Sequence, residues 1–480
     1  MSLPLHSSQH NTLLLLGATG DLAQRYLLPS LLRLRVDGLI PETFRIRAIS
    51  RSAHDTPKFH AILRNRFTQL EWQPSTHQID AFLAQLDYVS VDMSSPETMA
   101  EAVRDLASKG ACISYVSLPP GLYINACKGL ALGGALAPPH RLMMEKPIGE
   151  NLEDAKTILH AISEHIDEAR TFRLDHYLGK ASVQNILPLR FSNALFQSIW
   201  NKHTIASVHI VVAETEGVEG RNAYYAQSGA LRDMVQSHIL QLLCLVAMDV
   251  PKQLDAQSIR NEKIKILRAL VPITTENVDQ TTVRGRYTEG VLAGERVPGY
   301  VPPDPQSAVE TFVGVTAHLN DSRWQGVPFY LCTGKRMAQR NTCIVVTFKQ
   351  PSPWLFPNPD AASAPANQLV ITLQPEESIV LHCLSSLIGP EFGTPELCPV
   401  SLALQNKLPR RRNAYERLFI DAIQGQSALF IRDDEVLAAW TWIDGIIQAW
   451  TDSPPPLLSY AAGSWGPEHA KVFLPPSIYA

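Results

Sequence analysis

Short apolar runs and longer amphipathic stretches alternate along the first 150 residues. The apolar runs lie at 13–16, 44–50, 88–91, 113–117 and 142–144. Such runs are typical of buried parallel strands, and the stretches between them are typical of helices. One helix is predicted from Asp21 to about Val36, with a kink or break at Pro29 because proline lacks the backbone N–H. The pattern therefore predicts a doubly wound parallel sheet with right-handed crossovers.

The pattern changes after about residue 180. Alternating segments typical of antiparallel strands lie at 207–213, 311–318, 343–348, 369–373 and 378–383, and helices are predicted at 228–248 and 413–450. We predict an α/β Rossmann dinucleotide-binding domain over residues 1–178. An α+β domain with a large, mainly antiparallel sheet follows over residues 179–480.

Composition excludes several classes of protein. The 480 residues are 45% hydrophobic and 18% charged, with a formal net charge of −4, so the chain has no basic field for nucleic acid or an anionic membrane. Seven scattered cysteines without a CxxC motif indicate reduced thiols and no metal site. The N-terminal residues lack a secretion signal, and the apolar runs are shorter than the ~20 residues of a membrane helix. We expect a cytoplasmic, soluble protein.

A glycine turn follows the first predicted strand. Gly17, Thr19, Gly20, Asp21 and Leu22 lie where a strand passes into a helix, and backbone amides there can receive a pyrophosphate. The three-glycine fingerprint is incomplete, and many such turns only reverse the chain. The position of this glycine turn, near the N-terminus of an alternating fold, favours coenzyme binding.

The end of the second predicted strand bears on the choice of coenzyme. An acidic residue there would hold the ribose of NAD, but Asp37 precedes the strand and is better explained by a turn with Gly38. Arg51 stands at the strand end between two serines, and a guanidinium with hydroxyls suits the 2′-phosphate of NADP. We therefore predict NADP; a structural salt bridge is the alternative for Arg51.

One segment concentrates functional groups. Residues 173–180 read Arg-Leu-Asp-His-Tyr-Leu-Gly-Lys. If a helical turn begins here, His176 and Lys180 share a face and can hold an anion such as a sugar phosphate. Asp175 is then available to a histidine distant in sequence. A polar helix start with a surface charge pair is the alternative.

Several motifs together resemble the glucose-6-phosphate dehydrogenase family. They are the glycine turn, Glu145-Lys146-Pro147, the 173–180 segment and Arg232-Asp233-Met234-Val235-Gln236-Ser237-His238. The likeness continues at 190–193, 200–202, 327–329, 334–335, 414–418 and 462–467, so it covers nearly the whole chain.

The resemblance implies hydride transfer from C1 of glucose 6-phosphate to NADP, which gives 6-phosphogluconolactone in the first step of the oxidative pentose phosphate pathway. His238 matches the family's general base, and Asp175 matches the carboxylate that orients it. The residues that match the family's substrate site are His176, Tyr177, Lys180, Glu214, Asp233, Lys335, Arg340 and Lys146. Lys146 also matches a lysine near the coenzyme, and Pro147 is a candidate for an unusual peptide conformation. The resemblance also implies that the second domain binds the substrate and that a homodimer or a dimer of dimers is joined through its large sheet.

The chain also departs from the family pattern. Ser237 stands where relatives usually have asparagine beside the base, and it either tunes the base or has no effect. The strand at 369–372 lacks the arginine that supports a second, structural NADP in animal enzymes, so we expect no such site. Two other functions remain open: another sugar oxidoreductase without a phosphate clamp, and a catalytically inactive sensor of NADP or a sugar phosphate.

Overall fold

A computed structural model describes residues 10–219, 222–350, 366–385, 396–402 and 410–478. The chain divides into two compact units. The first comprises Met1–Gly179, Gln253–Arg260 and Arg412–Leu437, and the second comprises Lys180–Lys252, Asn261–Arg411 and Ala438–Ala480. The boundary between residues 178 and 179, as a division into coenzyme and substrate domains, stays a prediction.

The first unit contains a six-stranded parallel sheet in the order β3-β2-β1-β4-β5-β6. Its strands are β1 (His10–Leu16), β2 (Arg45–Ser50), β3 (Leu86–Ser90), β4 (Ala111–Val116), β5 (Arg141–Met144) and β6 (Thr171–Arg173). The order reverses between β1 and β4, and such a reversal opens a crevice at the carboxyl ends of the strands. The predicted doubly wound sheet is confirmed.

Helices connect these strands, and side-chain caps fix where several of them begin. They are α1 (Leu28–Val36), α2 (Thr56–Phe67), α3 (Thr76–Leu83), α4 (Pro96–Ala107), α5 (Tyr123–Leu132), α6 (Leu152–Ser163) and, from the later segment, α14 (Ala414–Gln424). Ser75 and Gln78 form a reciprocal capping box at the start of α3. Leucines of β1, α1 and α14 pack into one apolar core.

Near Pro29 the hydrogen-bond ladder changes, while the backbone stays helical through this position. A π-helical turn covers Ala23–Leu27, and the α-helix begins only at Leu28. Pro29 cannot donate a hydrogen bond to the preceding turn and its ring crowds that turn's carbonyl, so the helical ladder changes there.

The second unit is built on a nine-stranded sheet in the order β16-β15-β14-β13-β7-β12-β11-β8-β17. Its strands are β7 (Ile205–Ala213), β8 (Thr282–Thr288), β11 (Phe312–Ala317), β12 (Phe329–Gly334), β13 (Asn341–Phe348), β14 (Gln368–Gln374), β15 (Ser378–Ser385), β16 (Glu396–Leu402) and β17 (Leu457–Ala461). A separate pair is formed by β9 (Gly290–Leu292) and β10 (Glu295–Val297). Most neighbours are antiparallel, as predicted, but β7 pairs with β12 and β8 pairs with β17 in parallel. Dimerisation through this sheet stays a prediction.

The remaining helices include two that cross the division between the units. The helices of the second unit are α7 (Ala181–Gln184), α8 (Ile186–Phe191), α9 (Ala194–Ile199), α10 (Asn222–Ala230), α11 (Leu240–Ala247) and α13 (Val278–Thr281), and the crossing helices are α12 (Ala256–Ala269) and α15 (Asp433–Asp452). The helix predicted at 413–450 is two helices, because Gly425 adopts a positive φ of 78° that ends α14. Among the described residues, none of the helices is both long and apolar enough to cross a bilayer.

Candidate functional site

The glycine turn follows β1 at the centre of the parallel sheet. Gly17 has a φ of +85°, and a Cβ at this position would lie 2.0 Å from the carbonyl oxygen of Ser117. Glycine is therefore required on both conformational and steric grounds. The Gly20 amide donates to the Gly17 carbonyl at 2.9 Å and closes the turn before the helix. Asp21 is exposed and forms a 3.4 Å ion pair with Arg25.

Three hydroxyl side chains join this turn to the end of β2. Thr19 Oγ1 lies 2.6 Å from Ser50 Oγ and 3.2 Å from Ser52 Oγ. Arg51, between the two serines, is exposed. The structure therefore places the predicted coenzyme residues Thr19 and Arg51 at neighbouring strand ends. Asp37 instead ends α1 and pairs with Arg33 at 3.5 Å, which confirms that it belongs to a turn.

The segment after β6 forms a tight turn and not the start of a helix. The amides of Leu178 and Gly179 donate to the carbonyls of Asp175 and His176 at 3.1 and 3.3 Å. The side chain of Asp175, only 1% exposed, accepts a 2.8 Å hydrogen bond from the Tyr177 amide. This turn buries the Asp175 carboxylate in the first unit.

Two neighbours of this turn explain its shape. The ring of His176 stacks on Tyr415 with centroids 6.1 Å apart. A Cβ on Gly179 would lie 2.7 Å from the Ala414 carbonyl oxygen. The glycine of the motif therefore lets the start of α14 pack against the turn.

Glu145 and Lys146 follow β5 at the carboxyl edge of the same sheet. Burial raises the pKa of Glu145 to about 7, against the opposing effects of the Tyr115 hydrogen bond and the Lys146 charge. The Tyr115 hydroxyl donates to Glu145 Oε1 at 2.5 Å. The Asp175 charge also raises this pKa, so the first unit brings Glu145 close to Asp175. The peptide bond between Lys146 and Pro147 is cis, the unusual conformation expected there.

In the second unit, one edge of the nine-stranded sheet collects charged residues. Glu214 and Lys335 follow the carboxyl ends of the parallel neighbours β7 and β12, where Ala213 pairs with Gly334. Parallel register therefore places both side chains at the same edge. Lys335 Nζ forms an ion pair with Glu214 and lies 3.6 Å from Asp233 Oδ2. The structure thus brings these three predicted substrate residues together.

Two further predicted cations meet at the same edge. Arg340 precedes β13, and Gln374 ends β14 opposite Thr342. When the Gln374 amide oxygen faces the cations, it accepts 3.0 Å hydrogen bonds from both Lys180 Nζ and Arg340 Nη2. In that orientation the amide nitrogen donates to Thr342 Oγ1 at 3.1 Å. Gln374 therefore holds two cationic groups side by side, although like charges repel.

His238 lies near the end of a nine-residue π-helical segment, Leu231–Ile239, which continues as α11. It is 1% exposed. The helix predicted at 228–248 is therefore interrupted twice: at Gly229, whose φ is 63°, and where the π-helical segment passes into α11. A π-helical ladder is rare and frequently occurs at functional sites. Ser237 Oγ bonds the Asp233 carbonyl at 3.2 Å, so that hydroxyl supports the helix backbone.

Side chains hold the beginning of this helix. Glu310 accepts a 2.8 Å hydrogen bond from the Leu231 amide at the first π-helical residue. A Cβ on Gly229 would lie 2.6 Å from the same carboxylate, which explains the glycine before the segment. A carboxylate at a helix N-terminus satisfies otherwise unpaired amides and suits the dipole.

Three buried side chains hold the other end. The carbonyls of residues 245–247, which end α11, and of the cap residue 248 each accept one hydrogen bond of 2.7–2.8 Å from a side chain. The donors are Arg190, which bonds the carbonyls of residues 245 and 248, Trp200, which bonds residue 246, and Trp324, which bonds residue 247. The helix that carries His238 is therefore anchored at both ends by the second unit.

Sequence reasoning missed two residues at this edge of the nine-stranded sheet, Gln374 and Tyr225. Tyr225 is 3% exposed, and its ring centroid lies 5.7 Å from Lys335 Nζ. Its hydroxyl has no hydrogen-bond partner among the described residues. Burial, followed by the charge of Asp233, raises the pKa of Tyr225 far above its ordinary range, so it remains a neutral donor. Neither residue lies in a recognisable motif, and only the paired strand register reveals Gln374.

The edge of the second unit combines two kinds of chemistry. Glu214 and Asp233 with Lys335 offer both acceptors and donors, an arrangement that suits the hydroxyls of a sugar. Lys180 and Arg340 offer charge-assisted donors, which suit a phosphate. In the first unit, the glycine turn offers backbone amides and hydroxyls. The predicted roles of these residues stay predictions.

Comparison with known families covers almost the whole chain. Residues 14–185 match the model described as "Glucose-6-phosphate dehydrogenase, NAD binding domain", and residues 187–477 match "Glucose-6-phosphate dehydrogenase, C-terminal domain". The first unit therefore contains nearly all of the family's nicotinamide dinucleotide-binding domain.

Similar proteins and structures agree with these matches. The glucose-6-phosphate 1-dehydrogenases of Zymomonas mobilis subsp. mobilis and Gluconobacter oxydans are 43% and 40% identical; the alignments cover 96% and 95% of this chain and 96% and 94% of theirs. A solved glucose-6-phosphate dehydrogenase in complex with its substrate glucose-6-phosphate superposes with a TM-score of 0.87 at 28% identity, covering 99% of this chain and 98% of the other. Glucose-6-phosphate 1-dehydrogenase from Mycobacterium avium gives a TM-score of 0.82 at 27% identity, with 98% and 97% covered. Two independent regions, a Rossmann sheet and a charged edge on a mixed sheet, thus lead to one conclusion: this chain belongs to the glucose-6-phosphate dehydrogenase family.

Proposed function

We propose that the protein oxidises D-glucose 6-phosphate to 6-phospho-D-glucono-1,5-lactone with NADP. The observation that carries this proposal is the edge of the nine-stranded sheet, where a carboxylate–ammonium–carboxylate cluster and a paired-cation cluster occur together. One cluster suits the hydroxyl groups of a sugar and the other suits its phosphate. The similar structure with bound glucose-6-phosphate supports the same substrate.

The phosphate would be held by cations. Lys180 and Arg340 already point their nitrogen atoms at one neutral amide oxygen, and a dianion is a stronger acceptor than that oxygen. Phosphate binding would then relieve the repulsion between the two cations. His176 and Tyr177 complete the clamp in this proposal.

The sugar hydroxyls would bind to the second cluster. Lys335 and the Tyr225 hydroxyl donate, and Glu214 and Asp233 accept. A hydroxyl both donates and accepts, so a polyol can satisfy this mixed set where a carboxylate or an apolar ligand cannot.

Oxidation at C1 removes a hydride from carbon and a proton from the attached hydroxyl, which leaves a C=O bond. NADP, when bound, supplies the hydride acceptor. His238 accepts the hydroxyl proton at one imidazole nitrogen as general base. Asp175 orients the imidazole and stabilises its charged form, the division of roles known from His–Asp pairs. The anchored helix would keep His238 in position during the transfer.

The glycine turn fits a dinucleotide. Gly17 allows the turn to approach Ser117 closely, and no side chain could occupy that position. Gly20, Asp21 and Leu22 would present backbone amides to the pyrophosphate at the start of the helix. Lys146 would lie near both coenzyme and substrate.

NADP is preferred to NAD in this proposal because of the end of β2. Arg51 and the hydroxyls of Ser50, Ser52 and Thr19 form a donor set without a carboxylate, and this set suits a 2′-phosphate. A carboxylate at that position would instead favour the ribose hydroxyls of NAD.

The direct test mixes purified protein with glucose 6-phosphate and NADP and follows the absorbance of reduced nicotinamide. Unphosphorylated glucose under the same conditions is the matched control, and we expect it to react far more slowly. If the folded protein binds NADP but produces no reduced nicotinamide, the proposed activity is refuted. Binding of both ligands without turnover would indicate a sensor, and equal rates with glucose would indicate another sugar oxidoreductase.

A further inference from the structure

A polar pocket of about 250 Å³ lies in the second unit beside the start of β7. Its walls include Trp200, Lys202, His203, Ser322 and Arg323. The pocket shares no lining residue with the proposed substrate edge or the glycine turn. Two of these side chains are permanent cations, and none of the lining residues is acidic.

The charges in the pocket are only partly neutralised. Lys202 Nζ lies 3.4 Å from the neutral Gln325 Oε1. Arg323 Nη2 pairs with Asp249 at 2.5 Å, and the side chain of Asp249 is 51% exposed. A guanidinium has five N–H donors in a planar fork, so this one pair leaves donors for a second anion. Lys349 Nζ donates to the Lys202 carbonyl at 2.6 Å and adds a further positive charge nearby.

Hydrogen bonds of the backbone hold together the two segments that carry these cations. The Lys202 amide donates to the Arg323 carbonyl at 2.7 Å and joins the two chain segments that carry the charges. The Asn201 side chain accepts a 2.9 Å hydrogen bond from the His203 amide, and this bond fixes the turn. Trp200, at the back, is held by its hydrogen bond to the carbonyl of Val246. The pocket is therefore preorganised, which lowers the entropic cost of binding.

We propose that this pocket is a second anion site, and that it binds the phosphate group of a small metabolite or free phosphate. Two adjacent cations with hydroxyl and imidazole donors match a tetrahedral dianion. The volume is below the roughly 300–1,000 Å³ of pockets for drug-sized ligands, so a nucleotide is too large. A bound anion would touch Trp200, which holds the end of the helix that carries His238.

The test is equilibrium dialysis against radiolabelled inorganic phosphate. The wild-type protein should bind two equivalents. The double variant Lys202→Met/Arg323→Met should bind one equivalent fewer. Each cation removed should weaken the binding of phosphate to this site about tenfold or more. Lys109→Met, which removes a lysine that is 72% exposed in the first unit, is the matched control and should bind both equivalents.

Lys180→Met separates this site from the proposed substrate clamp. It should lose the other equivalent and keep the one that the double variant loses. If the double variant binds phosphate as the wild type does, or if the wild type binds only one equivalent in total and Lys180→Met abolishes it, the second site is refuted. One equivalent that depends only on Lys202 and Arg323 would support the pocket and count against the clamp.

Two further measurements keep the result interpretable. The single variant Lys202→Met loses only a contact to a neutral amide, so its thermal unfolding midpoint should match the wild type even if the double variant is destabilised. Repeating the dialysis with glycerol 3-phosphate as competitor distinguishes the sources. Displacement at lower concentration than phosphate identifies an organic phosphate, and displacement only at higher concentration identifies free phosphate.

Discussion

After β1 the backbone itself forms the candidate coenzyme site, whereas at the edge of the nine-stranded sheet charged side chains form the candidate substrate site. Gly17 is there because a side chain would strike Ser117, and Thr19 contributes a hydroxyl. Lys335 and Lys180 are 5% and 9% exposed, and both lie against polar partners. In the proposed function, a dinucleotide would thus be recognised mainly by shape, and a sugar phosphate mainly by charge.

The largest expected effect tests the proposed base of the substrate region. We expect His238→Ala to lower kcat by about 10²–10⁴-fold, because proton removal in the transition state would lose its acceptor. KM for glucose 6-phosphate should change little. Steady-state kinetics with both substrates varied would measure the two effects.

Ser237→Ala is the matched control for this variant. It alters the neighbouring residue on the same π-helical segment and removes only a bond to the Asp233 carbonyl. Its kcat should stay within a few-fold of the wild type. A loss of only a few-fold in His238→Ala would remove His238 from the role of base.

Lys180→Met tests the charge-based recognition of the substrate. Loss of charge-assisted hydrogen bonds of about 1.5–3 kcal/mol should raise KM for glucose 6-phosphate by about 10–100-fold. KM for NADP should not change. Lys471→Met, at an exposed lysine paired with Glu468, is the control. An equal rise in both KM values would mean that Lys180 supports the structure and does not select the phosphate.

Glu145 sets the first unit apart in another way, since its carboxyl group is buried at the end of β5. Its pKa is raised from 4.5 to about 7 in the folded protein, so between these pH values the folded state holds a proton that the unfolded chain has released. Stability should therefore fall as pH rises through this window and level off above it. Urea unfolding at pH 5 and pH 8 should show this loss.

Glu145→Gln removes the titrating group and keeps an acceptor for Tyr115. The pH-dependent loss of stability should be smaller in this variant by about 2 kcal/mol. Glu150→Gln, at an exposed position close in sequence, should leave the wild-type dependence unchanged. Identical pH profiles for Glu145→Gln and the wild type would show that Glu145 titrates normally.

The smallest expected effect concerns Arg51, the side chain that is proposed to bind the coenzyme through its charge. Arg51→Ala should weaken the binding of NADP about tenfold, because one charge-assisted contact to the 2′-phosphate is lost. NAD, which lacks that phosphate, should bind almost unchanged. Fluorescence titration with each reduced coenzyme measures both. Arg45→Ala, at the exposed start of the same strand, is the control, and equal losses for NADP and NAD in Arg51→Ala would refute the assignment.

The fold was largely accessible from the sequence, because apolar alternation reports burial directly. The strands beginning near Leu13, Ile113 and Leu142 all appear within a few residues of their predicted positions. Pairing between β7 and β12 was not accessible, because parallel neighbours distant in sequence leave no mark on either strand. That pairing is what brings Lys335 to Glu214.

The site was accessible only in part, for physical reasons that differ between residues. Hydrophobic periodicity predicted a helix around His238, but it cannot distinguish an α-helical from a π-helical ladder, since the two differ by one residue in hydrogen-bond spacing. Tyr225 resembles any core tyrosine in the sequence, and Gln374 resembles any strand glutamine. Their positions depend on tertiary contacts that a single sequence does not reveal.

The anchoring of the helix that carries His238 has a consequence for motion. Glu310 holds its first turn, and Arg190, Trp200 and Trp324 hold its last, so neither end is free to fray. Its backbone amides should exchange with solvent deuterium only through openings nearly as costly as global unfolding. Ligands would then enter and leave past a segment that stays still on the microsecond-to-millisecond timescale of lid movements, so any gating motion must belong to other parts of the chain.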